Sequence, residues 1–161
     1  MLSFMRIMYV CLGNICRSPL AEAVCRSLLS EYGLEGSVSV ESSGTCAYHV
    51  GEPADPRMRS AAARKGIHIT HVSRQFAKDY ASYDMIIAMD EENRRYLMQH
   101  APDEASRARV HLLRDFDPLG PGDLEDPYYG GPEGFNDAVT VTLRSCRGLL
   151  EVVRERLHGG K

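Results

Sequence analysis

The chain has 161 residues, 43% of them hydrophobic and 25% charged, with a formal net charge of −3. That length builds one domain, 1–161, with a core that needs no covalent staples, and the weak negative charge gives no global attraction for nucleic acid. No apolar run approaches the roughly 20 residues of a membrane span, and Met1 to Met5 is too short for a secretory signal.

The first element is a short apolar run, Ile7 to Val10, read as a buried strand. After a ten-residue stretch that includes its last residue, Val10-Cys11-Leu12-Gly13-Asn14-Ile15-Cys16-Arg17-Ser18-Pro19, a helix from Leu20 to Leu29 shows apolar residues at helical spacing. Ser18 before Pro19 reads as its N-cap. Ser37 to Ser42 alternates Val with small polar residues and predicts a second, more exposed strand. A long Gly- and Pro-rich loop follows, from Ser43 to Pro56. Asp55-Pro56 opens a helix that runs to Lys65 and is closed by Gly66. Ile67 to Thr70 reads as a short extended piece and Phe76 to Ala81 as a short helix. Tyr83 to Met89 is the most apolar strand and suits a central parallel position. Asp90 caps a helix from Glu91 to His100, and Val110 to Leu113 is the last strand. Asp115 to Gly134 holds four prolines and five glycines and reads as loop. The final helix starts at Phe135 and carries a stripe of Phe135, Val139, Leu143, Cys146, Leu150, Val153 and Leu157.

Strands alternating with helices imply an α/β fold: a three-layer α/β/α arrangement with a four-stranded parallel sheet, Rossmann-like, and a phosphate-binding loop between strand 1 and helix 1. A loop closing onto a helix N-terminus gathers backbone N–H groups into an anion cradle. Gly13 permits close backbone approach and Asn14 tolerates the left-handed conformation. Arg17 adds a planar fork for two phosphate oxygens. Cys11 would lie at the floor, where such surroundings can bring a thiol from about 8.5 to roughly 3.5–7.5. The loop therefore binds a phosphate dianion and aims a nucleophile at it.

The loop CLGNICRSP followed by LAEAV resembles the signature of the low-molecular-weight protein tyrosine phosphatases, with its Cys-x5-Arg-Ser. The resemblance continues through SSGT and YHVGxPADPR, then GIxxxHxSRQ, YDxIIAMDxxN and DPYYG, in the family's order over nearly the whole chain. It implies hydrolysis of phosphotyrosine in proteins through a phosphocysteine, with no cofactor or metal. The partners it implies are phosphotyrosine-containing proteins, with neither nucleic acid nor membrane among them, and a monomer. Five cysteines, an odd count without Cys-x-x-Cys, indicate neither a disulfide framework nor a zinc site and place the chain in a reducing cytoplasm.

Ester cleavage by a thiolate also needs a proton for the leaving oxygen. Asp126 is the candidate: Pro127 biases it to extended geometry, and Asp123 and Glu125 disfavour its ionised form. The resemblance implies the same position, as the Asp of Asp-Pro-Tyr. It also implies that Asn14, Ser42 and His71 support the loop. Ser18 caps the helix, donates to the Cys11 thiolate, or does both. Tyr48 and Tyr128 form walls for an aryl ring, with Leu12 and Ile15 as floor. Cys16 either pairs reversibly with Cys11 or is a small buried hydrophobe. Cys25, Cys46 and Cys146 read as structural, Tyr129 as a surface residue or a modification site.

There are four rival readings, one of them a non-catalytic phosphate-binding module, for which Cys11→Ser changes function little. An arsenate reductase of this fold needs cysteines on a mobile segment, and Ala81 to Asp90 has none. A protein-arginine phosphatase carries a smaller Thr where this loop has Ile15. A P-loop NTPase is excluded because no Gly-Lys-Ser/Thr follows the glycine.

Overall fold

The computed structural model describes residues 3–158, so the first two residues of the Met1 to Met5 stretch lie outside it. Its centre is a four-stranded parallel sheet in the order β2-β1-β3-β4, formed by β1 (Met5–Cys11), β2 (Val38–Gly44), β3 (Met85–Ala88) and β4 (Val110–Leu112). The helices are α1 (Arg17–Leu28), α2 (Pro56–Ala63), α3 (Glu91–His100), the short α4 (Glu104–Arg107) and α5 (Pro132–Leu157). β1 is paired on both sides, to β2 from Met5 through Cys11 and to β3 from Ile7 through Val10. Its residues are accordingly almost all buried, which is why it reads as a continuous apolar run.

Strand alternation divides the core. Met5, Ile7, Tyr9 and Cys11 point to a layer shared with α1, α2 and α5, while Met8 and Val10 point to one shared with Phe76, Tyr80, Tyr83 and Leu97. The chain leaves β1 toward β2 on one side and later returns to β3 on the other. The crevice beyond the carboxyl ends of β1 and β3 is thus a switch point, where α/β sheets bind ligands.

Several expectations change in detail. The segment from Ile67 to Thr70 forms no strand, and the helix expected over Phe76–Ala81 shrinks to one 3₁₀ turn at Tyr80–Ser82. Phe76 and Tyr80 are buried edge to face, so their side chains serve the core without a helix beneath them. On α5 the buried stripe takes in Thr142, Ser145 and Leu149, while Leu143 is only half-buried. Asp55 does cap α2, accepting from the Arg57 N–H at 2.8 Å.

Two close approaches fix where elements meet. A Cβ on Gly148 of α5 would lie 1.9 Å from the Phe116 carbonyl oxygen, so only glycine lets the helix rest on that turn. The same contact is locked by Asp117, fully buried, which accepts from Arg144 at 2.6 and 2.8 Å and from Arg114 at 3.1 Å. Those hydrogen bonds, Arg144 first, hold its carboxyl far below the ordinary carboxylate range.

Candidate active site

Cys11 is the last residue of β1 and is 3% exposed. The loop after it turns its carbonyls outward. Cys11 O accepts from Thr45 N, Leu12 O from Cys46 N, Ile15 O from Asp55 N and Cys16 O from Leu20 N. Asn14 O accepts from Ser73 Oγ at 2.6 Å and His71 Nε2 at 2.8 Å. A trans peptide points its N–H opposite its C=O, so the amides of Leu12, Gly13, Ile15, Cys16 and Arg17 face the inside of the curl. This is an anion cradle with a thiol at its floor.

One residue holds that curl. Asn14 has φ of 58°, in the left-handed region, and is fully buried. Its Nδ2 donates to Ser18 Oγ at 2.8 Å and Ser42 Oγ at 3.1 Å. Its Oδ1 accepts from Arg74 N at 2.9 Å and His71 Nε2 at 3.1 Å. Because His71 Nε2 meets two acceptors, it carries a proton, and Nδ1 faces Glu22 Oε1 at 3.9 Å. Ser42 Oγ donates to Glu22 Oε1 at 2.6 Å. The segment carrying His71, Ser73 and Arg74 is brought alongside by Gly44, which bonds to Arg74 O and Phe76 N. A Cβ on Gly44 would sit 2.8 Å from Leu12 O, so glycine keeps this strand end against the loop.

Of the two roles read for Ser18, the structure shows the contact with the thiol and not the cap. The helix starts at Arg17, one residue earlier, and Cys16 at the N-cap position makes no side-chain cap bond. Ser18 Oγ instead lies 3.0 Å from Cys11 Sγ and 3.3 Å from Ser43 O. With Asn14 donating to that oxygen, the hydroxyl hydrogen is left for sulfur or the carbonyl.

Arg17, 2% exposed, is fixed from two sides. Its Nη1 donates to Asp90 Oδ2 at 2.6 Å and Leu124 O at 2.9 Å, and Nη2 lies 3.6 Å from Asp126 Oδ2. Burial works against its charge, but the acidic neighbours Cys11, Asp90 and Asp126 outweigh it and raise the guanidinium above its ordinary value. Asp90 is the cap expected from sequence, accepting from Asn93 N at 2.8 Å, and its other oxygen orients Arg17, a role that spacing alone did not show.

Asp126 arrives on the segment between β4 and α5. Leu124, buried, pins that segment by donating from its N–H to Met89 O at 2.8 Å while its carbonyl takes the Arg17 bond. Asp126 Oδ1 accepts from Tyr128 N at 3.1 Å. The crowding by acidic neighbours expected for it changes: Asp123 turns away to accept from Glu91 N at 2.9 Å, and the charge nearest Asp126 is Arg17. Asp126 separates two openings. One is a cleft of about 170 Å³ with Cys11, Leu12, Gly13, Ile15, Cys16, Arg17, Cys46, Tyr48, His49, Tyr128 and Tyr129 around it. The other, about 710 Å³, lies behind the same segment against α5 and contains no thiol.

Tyr48 and Tyr128 both line the smaller cleft, as expected, although Tyr48 is 84% exposed and stands at its rim. His49, Cys46 and Tyr129 line it as well, and sequence reading did not place them there. His49 lies 6.3 Å from the Tyr128 ring. Ile15 is buried and Leu12 half-exposed at the entrance. Cys16 is a buried free thiol, pushed well above its ordinary value by burial and then by Asp55. Cys25 and Cys146 are buried beside Tyr9, whose hydroxyl lies 3.8 Å from Cys146 Sγ.

Fold and loop together define an α/β protein with an anion cradle built around a cysteine. Residues 6–158 match the family model described as low molecular weight phosphotyrosine protein phosphatase. A low molecular weight protein-tyrosine-phosphatase of Streptomyces coelicolor is 42% identical over 158 residues, covering 96% of each chain. The human low molecular weight phosphotyrosine protein phosphatase is 41% identical over 147 residues, 90% of this chain and 93% of its own. A crystal structure of a protein tyrosine phosphatase from Entamoeba histolytica, with Hepes in the active site, superposes with a TM-score of 0.91 at 35% identity. It covers 94% of this chain and 98% of the other. The chain belongs to the low molecular weight phosphotyrosine protein phosphatase family.

Proposed function

We propose that this chain hydrolyses phosphotyrosine in proteins, with Cys11 as nucleophile, Arg17 and the loop amides as phosphate clamp, and Asp126 as general acid and then base. The observation that carries the reading is the buried Cys11 sulfur beneath five inward amides and one oriented guanidinium. Sulfur attacks phosphorus as the bond to the phenolic oxygen breaks, and Asp126 gives that oxygen a proton. Water then attacks phosphorus, Asp126 takes its proton, and the P–S bond breaks to return the thiolate. Charge developing on the equatorial oxygens is met by fixed donors, the dominant contribution in phosphoryl transfer. Ser18, 3.0 Å from the sulfur, donates to the thiolate and makes it a better leaving group.

Substrate choice follows from depth. The sulfur is buried while Tyr48 and Tyr129 stand at the rim, 84% and 94% exposed. A flat aryl ring spans that height between Tyr128 and the residues around Tyr48, and a phosphoserine is too short. Ile15 adds an apolar wall that favours a phenyl ring over the polar guanidino group of phosphoarginine. A reducing cytoplasm suits five free thiols and a cysteine nucleophile. Among the described residues no helix is long and apolar enough to cross a membrane. On the thiols, we infer a cytoplasmic protein, and we infer a monomer of one domain.

The test compares kcat/KM on peptides bearing phosphotyrosine, phosphoserine and phosphoarginine, for the wild type and Cys11→Ser. The expected result is preference for phosphotyrosine and loss of turnover in Cys11→Ser with peptide binding retained. Equal rates on phosphoarginine, or turnover by Cys11→Ser, overturn the proposal.

A further inference from the structure

Beside the substrate cleft lies a third opening, about 250 Å³, between α2 and the start of α5, lined by Arg57, Ser60, Arg64, Gly131, Pro132 and Phe135 among others. It is next to the cleft in chain and in space. Gly130 and Gly131 on its wall follow directly after Tyr128 and Tyr129 of the cleft, and the Arg57 guanidinium lies 5.2 Å from the Tyr128 ring centroid and 4.7 Å from that of Phe135. Stacked between two rings, that guanidinium is held in place rather than free to sweep solvent.

The charge of this opening is positive. Arg57 spends two donors on Asp55, through Nε at 3.1 Å and Nη2 at 2.8 Å, which leaves Nη1 uncommitted by that pair. Arg64 donates from Nη2 to the neutral Asn136 Oδ1 at 2.8 Å, and among the described residues it has no carboxylate within salt-bridge distance. Asp55 pairs with Arg57 and offsets that one of the two cations. The helix that begins at the opposite wall adds partial positive charge from its first amides, and Glu133 in its first turn offsets part of that field. The two arginines carry the argument; that field only adds to them.

Resting on the reading of the cleft as a phosphotyrosine site, we propose that this opening is a specificity subsite for a carboxylate side chain flanking the phosphotyrosine in the substrate. An extended peptide advances at most about 3.3–3.6 Å per residue, so Asp or Glu one to three positions from the phosphotyrosine reaches across the Tyr128 wall. Arg64 provides the unneutralised charge and Arg57 provides a fixed second donor. Pro132, exposed at the wall, packs the methylenes of a Glu.

The experiment measures kcat/KM on phosphotyrosine peptides in which each flanking position in turn is Glu, Gln or phosphoserine, with para-nitrophenyl phosphate as a substrate that has no flanking residue. Partly exposed ion pairs contribute about 0.2–1 kcal/mol, so Glu at one position raises kcat/KM about 1.5- to 5-fold over Gln, through KM. Arg64→Glu and, independently, Ser60→Glu remove or reverse that preference and leave para-nitrophenyl phosphate turnover unchanged. Added salt shrinks the preference. A phosphoserine arm stronger than Glu at every position reassigns the opening to a second phosphate and overturns the carboxylate proposal. So does an absence of Glu preference at every position, or a preference that survives both variants. Failure to hydrolyse any phosphotyrosine peptide would instead sink the reading of the cleft itself, with para-nitrophenyl phosphate as its separate readout.

Discussion

Replacing Asn14 separates what its side chain and its backbone each contribute to the cradle. Its side chain makes four hydrogen bonds, to Ser18, Ser42, Arg74 and His71, all inside the protein. Each is worth about 1 kcal/mol net, so Asn14→Ala forfeits about 4 kcal/mol from the bonds alone. Alanine must also hold φ at 58°, a conformation costing a residue with a Cβ roughly 1–2 kcal/mol. Partial relaxation of the partners leaves an expected loss of about 3–5 kcal/mol. Asn14→Gly loses the same bonds without the backbone penalty and is about 1 kcal/mol more stable than the alanine variant. Urea unfolding of the three proteins reads this directly, as a lower midpoint at constant slope. Both variants also lose activity, because the loop amides no longer hold their curl. An alanine variant within about 1 kcal/mol of wild type, or a glycine variant less stable than alanine, would refute the reasoning.

Three other perturbations probe separate parts of the molecule. Asp126→Asn lowers kcat on phosphotyrosine peptides about 10²–10⁴-fold and costs far less on an ester with an acidic phenol, which leaves without a proton; equal losses on both would remove Asp126 as the acid. Asp117→Asn breaks a buried pair and destabilises the fold by about 3–5 kcal/mol at neutral pH. The folded carboxyl lies below its unfolded value of about 3.9, so this stability is present above that pH and lost as pH falls below it. The gap between wild type and variant therefore narrows in acid melts and would be pH-independent if Asp117 were only packing. Gly148→Ala drives a methyl to 1.9 Å from the Phe116 carbonyl and costs about 1–3 kcal/mol or more, visible as a lower melting temperature with unchanged kcat.

Most of the cradle was legible because it is local. A strand, a five-residue loop (12–16) and a helix start are contiguous, and residue type there dictates conformation: Asn14 adopts the left-handed form expected of it. The sheet followed from alternation of apolar runs, since β1 and β3 are buried on both faces. What escaped reading depends on distance along the chain. Asp90 looked like a cap because it is one; its bond to Arg17 spans 73 residues and leaves no local trace. Ser18 read equally as a cap and as a partner of the thiol; the choice depends on where the helix begins, and a start at Arg17 turns the hydroxyl onto sulfur. Asp123, adjacent in sequence to the acid loop, is drawn off by the first amide of α3. Thr142 and Ser145 sit on the buried stripe of α5, where polarity concealed them from an apolar count.

The most direct test of the mechanism is rapid quenching of wild type and Asp126→Asn during turnover, followed by peptide mass spectrometry. The expected result is phosphorus on the sulfur of Cys11 in a kinetically competent intermediate. Steady hydrolysis with no phosphorus on that residue, or with phosphorus on another side chain, would contradict it.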